Sequence, residues 1–384
     1  MRTHRKFLLG LGTALALGAV ALLLRGPRAE ATPLPKLRPF AAVVLATPHD
    51  AEASRAEVRR IQVNAEGTAQ KDALLGDVAL PPGGVARGVL EKDDAAWVVA
   101  DDDVRSDFGA ALYRVKGGTT TKVASGVLHA SRPLRTDSGA LYIERGTPGT
   151  APDAEEARAG LLREDTLTVD RVEGTSLRTV YRTHGYATHL AGALPGQLVV
   201  YRVEPTRTAG SYGSVASVVL VDEASGSSRT VAEVPPFARD FSVQGSALFF
   251  DDRDAVDSGR WHVMRLDLGT GTLDVVTSRA LAAPAVLATA EGIAVTAEGT
   301  GGLVFSSSAT TRVHDTRTFA PLGAGFYAPL DAVPGQGTVV ANFTPPRGYD
   351  VLVAMDPQGA AVRLSGADER LELLGVVGTN GGAR

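Results

Sequence analysis

Gly245-Ser246-Ala247-Leu248-Phe249-Phe250-Asp251-Asp252 is a glycine, a compact apolar run and a closing pair of aspartates. The apolar run returns along the chain as Val43-Val44-Leu45, Trp97-Val98-Val99, Leu141-Tyr142-Ile143, Leu198-Val199-Val200, Ile293-Ala294-Val295 and Val339-Val340-Ala341. In chain order the seven runs start 54, 44, 57, 50, 45 and 46 residues apart. Short strands repeating every 40–50 residues or so predict an all-β fold, a seven-bladed β-propeller, with six or eight blades as the neighbouring counts. Seven units of about 45 residues fill most of a 384-residue chain, so one domain is expected from residue 41 to residue 384.

A run that is apolar at successive positions, rather than at alternate ones, predicts a strand covered on both faces. In a propeller this is the second strand of each blade. An outer hairpin should come next, turning at a glycine. Five candidates end at Gly67, Gly117-Gly118, Gly174, Gly226 and Gly269-Thr270-Gly271, and one more at Gly359. The sixth unit has Leu303-Val304-Phe305 turning through Ser and Thr into Thr311-Arg312-Val313. Inner strands are expected within residues 128–135, 188–194, 239–243 and 284–288. The tail, residues 371–377, is expected to pair into the first blade and remove a free edge. Residues 146–160, rich in Ala, Glu and Pro, read as a surface loop.

The N-terminus is different in kind. Arg2, Arg5 and Lys6 precede an uncharged run over residues 7–24, and Arg25 and Arg28 come after it. A basic segment and an apolar core form a secretory signal, and Ala29-Glu30-Ala31 fits its cleavage site. The same 18 residues are about enough to cross a bilayer. Residues 1–31 are therefore expected to be a signal peptide or a membrane anchor, and in either case the propeller is exported. Residues 32–40 read as a proline-rich linker. The expected location is periplasmic or extracellular, with or without an inner-membrane anchor.

Composition excludes several function classes. The net charge is −4, which argues against nucleic-acid binding. No cysteine is present, so disulfides, thiolate catalysis, zinc–thiolate sites and lipoprotein attachment are ruled out. No Gly-x-Ser-x-Gly elbow exists, and no glycine-rich loop stands between a strand and a helix.

The unit from Phe241-Ser242-Val243-Gln244-Gly245 through Leu248-Phe249-Phe250 to Trp261-His262-Val263-Met264-Arg265-Leu266-Asp267 resembles a TolB-like, WD40-like propeller repeat. The resemblance covers about 45 residues well. Its Pro-Asp-Gly element is reduced to Gly245 here. It implies a propeller fold and an envelope setting, and it transfers no catalytic residue.

Chemistry-bearing residues gather where the second strands end: Asp101, Asp102 and Asp103; Glu144 and Arg145; Arg202; and Asp251, Asp252 and Arg253. Seven blades would bring these ends round one funnel, where ligand sites form. Charged turns that merely solvate loops are the plainer explanation. The aspartate clusters lack the spacing of a calcium loop, and His184 and His189 lack that of a zinc pair, so no metal and no cofactor is expected. Two functions are carried forward. The first is an exported binding or scaffold protein of the cell envelope with a protein or glycan partner. The second is an exported lyase or glycan hydrolase using the funnel carboxylates.

Overall fold

A computed structural model describes residues 37–378 apart from 50–53, 65–67, 93, 159–160, 209–210, 254–260, 277–284, 290–291, 297–302, 307–315, 319–325, 346, 357–359 and 366–368. The proposed leader at 1–31 lies outside the described residues, as do Gly67, Gly359 and Thr311-Arg312-Val313. Among the described residues no helix is long and apolar enough to cross a membrane.

The first sheet holds β1 (Phe40–Pro48), β2 (Arg55–Val63) and β3 (Ala69–Ala79), with the C-terminal strand β28 (Glu369–Gly378) on the inner side of β1. The second sheet has eight strands. It contains β4 (Ala86–Lys92), β5 (Ala95–Asp101), β6 (Ala110–Lys116), β7 (Thr119–Val127), β8 (Leu134–Arg135), β9 (Leu141–Thr147), β10 (Asp165–Glu173) and β11 (Ser176–Gly185). The third sheet is β12 (Ala187–Leu194), β13 (Gln197–Thr208), β14 (Ser211–Asp222) and β15 (Ser228–Val234). The fourth is β16 (Arg239–Gln244), β17 (Ala247–Arg253), β18 (Trp261–Asp267) and β19 (Leu273–Val275). The fifth is β20 (Val286–Thr289), β21 (Gly292–Thr296), β22 (Leu303–Ser306) and β23 (Thr316–Thr318). The last is β24 (Phe326–Ala332), β25 (Val339–Thr344), β26 (Val351–Met355) and β27 (Ala361–Arg363).

The fold is all-β, with a propeller-like arrangement of sheets. The repeat predicts seven separate sheets; the hydrogen bonding gives six, five of four strands and one of eight. The fusion is local. Val127 of β7 pairs with Arg145 of β9. The Arg145 side chain secures the seam, its Nε donating to the Ser125 carbonyl at 2.9 Å and its Nη1 to Asp170 Oδ2 at 3.0 Å.

The seven apolar runs lie in β1, β5, β9, β13, β17, β21 and β25; in the five four-stranded sheets that strand is second in order, and β5 and β9 are interior strands of the eight-stranded sheet. Their continuous apolarity reflects packing on both faces. Val43 and Leu45 pack with Ala96 and Val98. Val99 packs with Leu141 and Ile143, and Tyr142 with Leu198 and Val200. Val199 and Tyr201 pack with Leu248 and Phe250, and Phe249 with Val286. Ala294 packs with Val339 and Ala341, and Val340 returns to Val44. The tail also behaves as expected, since β28 pairs along the whole of β1. Phe40 and Leu37 are buried, so the end of the proline-rich linker already belongs to the core.

In the fifth sheet the outermost strand is β23, later in the chain than the expected Thr311-Arg312-Val313. The 146–160 insertion carries one short exposed helix, α1 (Ala154–Arg158). Asp153 caps it, its Oδ1 accepting the N–H groups of Glu155 and Glu156 at 2.8 and 2.9 Å.

The inner strands touch one another in succession, β28 on β4, β12 on β16, β16 on β20, β20 on β24 and β24 on β28. Space at this hub is short, which selects small residues. A Cβ on Gly88 of β4 would lie 2.6 Å from the Trp97 carbonyl oxygen and 2.7 Å from Leu374 Cδ2 of β28. A Cβ on Gly375 would lie 2.9 Å from Leu90 Cβ. The backbone oxygen against Gly88 cannot move aside. Gly88→Val should therefore destabilise the fold by about 1–3 kcal/mol, read as a lower urea midpoint in equilibrium unfolding.

Candidate functional site

The inner strands surround two cavities that share Phe241, Ser242, Leu287 and Leu330. The cavity at the end where inner strands begin and second strands finish measures about 490 Å³. It is walled by β16, β20 and β24 and reached from across the channel by Arg132. Along β24 burial alternates, with Phe326 exposed, Tyr327 buried, Ala328 intermediate and Pro329 buried. Phe326, Ala328 and Leu330 therefore face the channel, and Tyr327 faces the sheet packing. The cavity at the opposite end measures about 530 Å³ and is lined by the turn after β8 and by Pro195 and Gly196 after β12.

Charge is concentrated at the first mouth. Glu372 of β28 is buried and accepts from Arg87 Nη1 at 2.7 Å and from Arg132 Nη2 at 2.5 Å. Arg132 also donates to the Leu373 carbonyl at 3.2 Å. Asp331 lies within reach of the Arg132 charge. Burial raises its pKa, and the Ala332 N–H at 2.8 Å and Arg132 only partly offset that rise.

Arg239 opens β16, and its guanidinium carbon lies 3.7 Å from the centroid of the Trp261 ring. Its Nε is 3.5 Å from Asp240 and 3.9 Å from Asp251. Asp251 is fully buried, and its carboxylate oxygens accept from no N–H or other donor among the described residues. Burial first, then the charge of Asp240 and a hydrogen bond from the protonated carboxyl to it, push its pKa up to about 8, with Arg239 opposing. At neutral pH the carboxyl is predominantly protonated.

The nine residues singled out in the sequence do not line either cavity. Three of them are buried carboxylates on β5, β9 and β17. Asp101 accepts the Val85 N–H at 2.7 Å and holds His129 Nδ1 at 2.9 Å. Glu144 accepts the Leu190 N–H of the next sheet and lies 3.8 Å from His189 Nδ1. Burial lowers the His189 pKa, but Glu144 outweighs it and the net shift is upward. Asp251 is the third.

The other six point elsewhere. Asp102 turns to the outer strands, accepting from Tyr113 Oη and Lys122 Nζ, each at 2.5 Å. Asp103 closes an exposed turn by accepting the Arg105 N–H at 3.0 Å. Arg145 secures the sheet seam. Arg202 bonds Ser217 Oγ and Tyr181 Oη, both at 3.1 Å. Asp252 faces the side of Tyr201, whose hydroxyl is pushed up to about 12 by burial and then by the Asp252 charge. Arg253 pairs with Trp261 across β17 and β18, and its side chain lies outside the described residues. The described residues contain no group of three or more potential metal ligands.

Arg132, Arg239 and Glu372 are site residues that the sequence pattern does not single out. Residues 128–135 and 239–243 read only as strands. Only Arg239 stands at the start of a strand, β16; Arg132 precedes β8 and Glu372 lies within β28, so no common sequence signal marks the three.

No family model and no curated protein sequence matches the chain. Among solved structures it is similar to the acylaminoacyl peptidase of Pyrococcus horikoshii, with 12% identity and a TM-score of 0.53 over 87% of this chain and 51% of that one. It is similar to oligogalacturonate lyase of Vibrio parahaemolyticus, with 10% identity and a TM-score of 0.50 over 82% and 91%. TolB of Acinetobacter baumannii aligns with 12% identity and a TM-score of 0.46 over 88% and 66%. The chain spans about half the length of the peptidase. The likenesses to the peptidase and the lyase establish the β-propeller fold.

Asp251 gives a pH test. Its pKa is raised in the folded state, so the folded protein keeps a proton that the unfolded chain releases near pH 4. Stability should fall as pH rises from about 4 towards about 8 and level off above. Asp251→Asn should flatten that decline, as measured by urea midpoints at pH 5 and pH 8.

Proposed function

We propose that the chain is an exported binding protein of the cell envelope, whose propeller takes part of a glycan or protein partner into the 490 Å³ mouth of its channel. In this reading the eight-stranded sheet is two blades joined at the β7–β9 seam, which would bring the proposed total to seven. Residues 7–24, as signal or anchor, would deliver the domain outside the cytoplasm.

One observation carries the choice of binding over catalysis: the buried carboxylates are already engaged or sealed away, which leaves a single carboxylate among the described residues, Asp240, on the cavity wall. Asp101 serves Val85 and His129, Glu144 serves Leu190 and His189, and Glu372 serves Arg87 and Arg132. Asp251 is sealed from solvent. A glycan hydrolase needs two carboxyl groups open to substrate across a gap of about 5–10 Å. The carboxylate that lines this cavity is Asp240. In this reading Asp101, Glu144 and Asp251 support the site from behind, and the cavity wall itself makes the contacts.

Ala328 lies midway along the channel-facing side of β24, so Ala328→Trp should fill the cavity without removing a charge or a hydrogen bond. The expected result, on a glycan array and in crosslinking pull-downs from envelope extracts, is loss of whatever the native protein retains, with an unchanged melting temperature. Retention of the same partner by a folded Ala328→Trp protein would move the binding site away from the mouth.

A further inference from the structure

Two guanidinium groups reach the mouth cavity, and they differ. Arg132 is spent on Glu372 and the Leu373 carbonyl. Arg239 donates no hydrogen bond among the described residues. Its contacts with acids are long, and its plane lies on Trp261. A guanidinium seated over an indole is held in place, and the donors of this one make no hydrogen bond among the described residues, which suits a two-oxygen anion. The group behind it is Asp251, fully buried, with Asp240 as its hydrogen-bond partner and no N–H donor to either oxygen among the described residues. An ionised carboxylate so placed would be costly, so the proton stays on it and the Arg239 charge is left to the cavity and to the exposed Asp240. Also on the wall is the exposed Phe326 ring, paired across β24 and β25 with Thr344, which adds an exposed hydroxyl at the rim. A bare aromatic face beside a hydroxyl suits a sugar ring, which has an apolar face and a polar edge.

Building on the binding role above, we infer that Arg239 is the receptor for the carboxylate of a uronate-type acidic saccharide, its Trp261-stacked fork taking both carboxylate oxygens while Phe326 meets the sugar ring. Asp251 is a positioning residue in this scheme. The charged groups that bear on it are Arg239 and Asp240, both from β16. The neighbouring β18 sets Val263 opposite it, and β20 brings only Val, Leu, Ala and Thr. When Asp251 ionises, its charge competes for Arg239, and affinity for the anion falls as pH rises through about 8.

The test is calorimetric titration of the full chain with trigalacturonate, a neutral galactose trisaccharide and triglutamate. The acidic sugar should bind, and the neutral one about tenfold more weakly or worse. Arg239→Gln should weaken trigalacturonate binding by about tenfold at an unchanged melting temperature, and Arg239→Lys should restore only part of it, because an ammonium lacks the fork. Binding by the native protein should decline above pH 8, and Asp251→Asn should remove that decline. Equal binding of the neutral sugar, or indifference to Arg239→Gln, overturns the inference. It leaves the mouth as a binding site as long as Ala328→Trp still blocks retention. Binding of triglutamate in place of the sugar, or of none of the three probes, overturns the inference as well.

Discussion

The fold rests on one packing arrangement, a second strand in each meander with both faces covered. Phe249 and Phe250 are adjacent, both fully buried, and point into different clusters, one towards Val286 and the other towards Val199 and Tyr201. Adjacent residues of a strand face opposite ways, so a strand can be apolar throughout only if a neighbouring sheet lies on each side of it. The run of clusters from Val43 round to Val340 and back to Val44 meets that condition with no sheet left at an end. Pairing β28 with β1 fixes the closure, because it ties the two ends of the folded chain into one sheet.

The same geometry concentrates chemistry at the hub. Inner strands converge until glycine is required at Gly88 and Gly375, which leaves little volume for side chains. A charge there must find a partner or lose its proton. Glu372 finds two arginines, and Asp101 and Glu144 find a backbone N–H and a histidine each. Asp251 has Arg239 at 3.9 Å and no N–H donor among the described residues, and it takes the other course.

The second strands are legible in the sequence because burial on both faces writes itself into three consecutive residues. The site is legible only in part, and strand alternation explains which part. Asp101 and Asp102 are neighbours, so one turns to the inner strand and the other to Tyr113 and Lys122 on the outer ones. Glu144 and Arg145 divide in the same way, towards Leu190 ahead and Ser125 behind. Treating each charged pair as a single funnel group ignores the period of two. Arg239 cannot be recognised from its own neighbourhood, since its stack on Trp261 lies a hairpin away in sequence. The seam between β7 and β9 is equally hidden, for it depends on one side chain, Arg145, reaching both Ser125 and Asp170.

Arg239 and Asp251 also bear on the choice between binding and catalysis. A carboxyl that holds its proton near neutrality is what a general acid requires, so the Asp251 pKa taken alone would favour an enzyme. A general acid must also reach the atom it protonates. Asp251 has no exposed surface, and Arg239 and Trp261 stand at its end of β17. A buried neutral carboxyl beneath a stacked arginine has a different effect: it leaves the arginine positively charged towards the cavity without contributing an opposing charge. The arrangement conserves charge for a ligand, which is the requirement of a receptor.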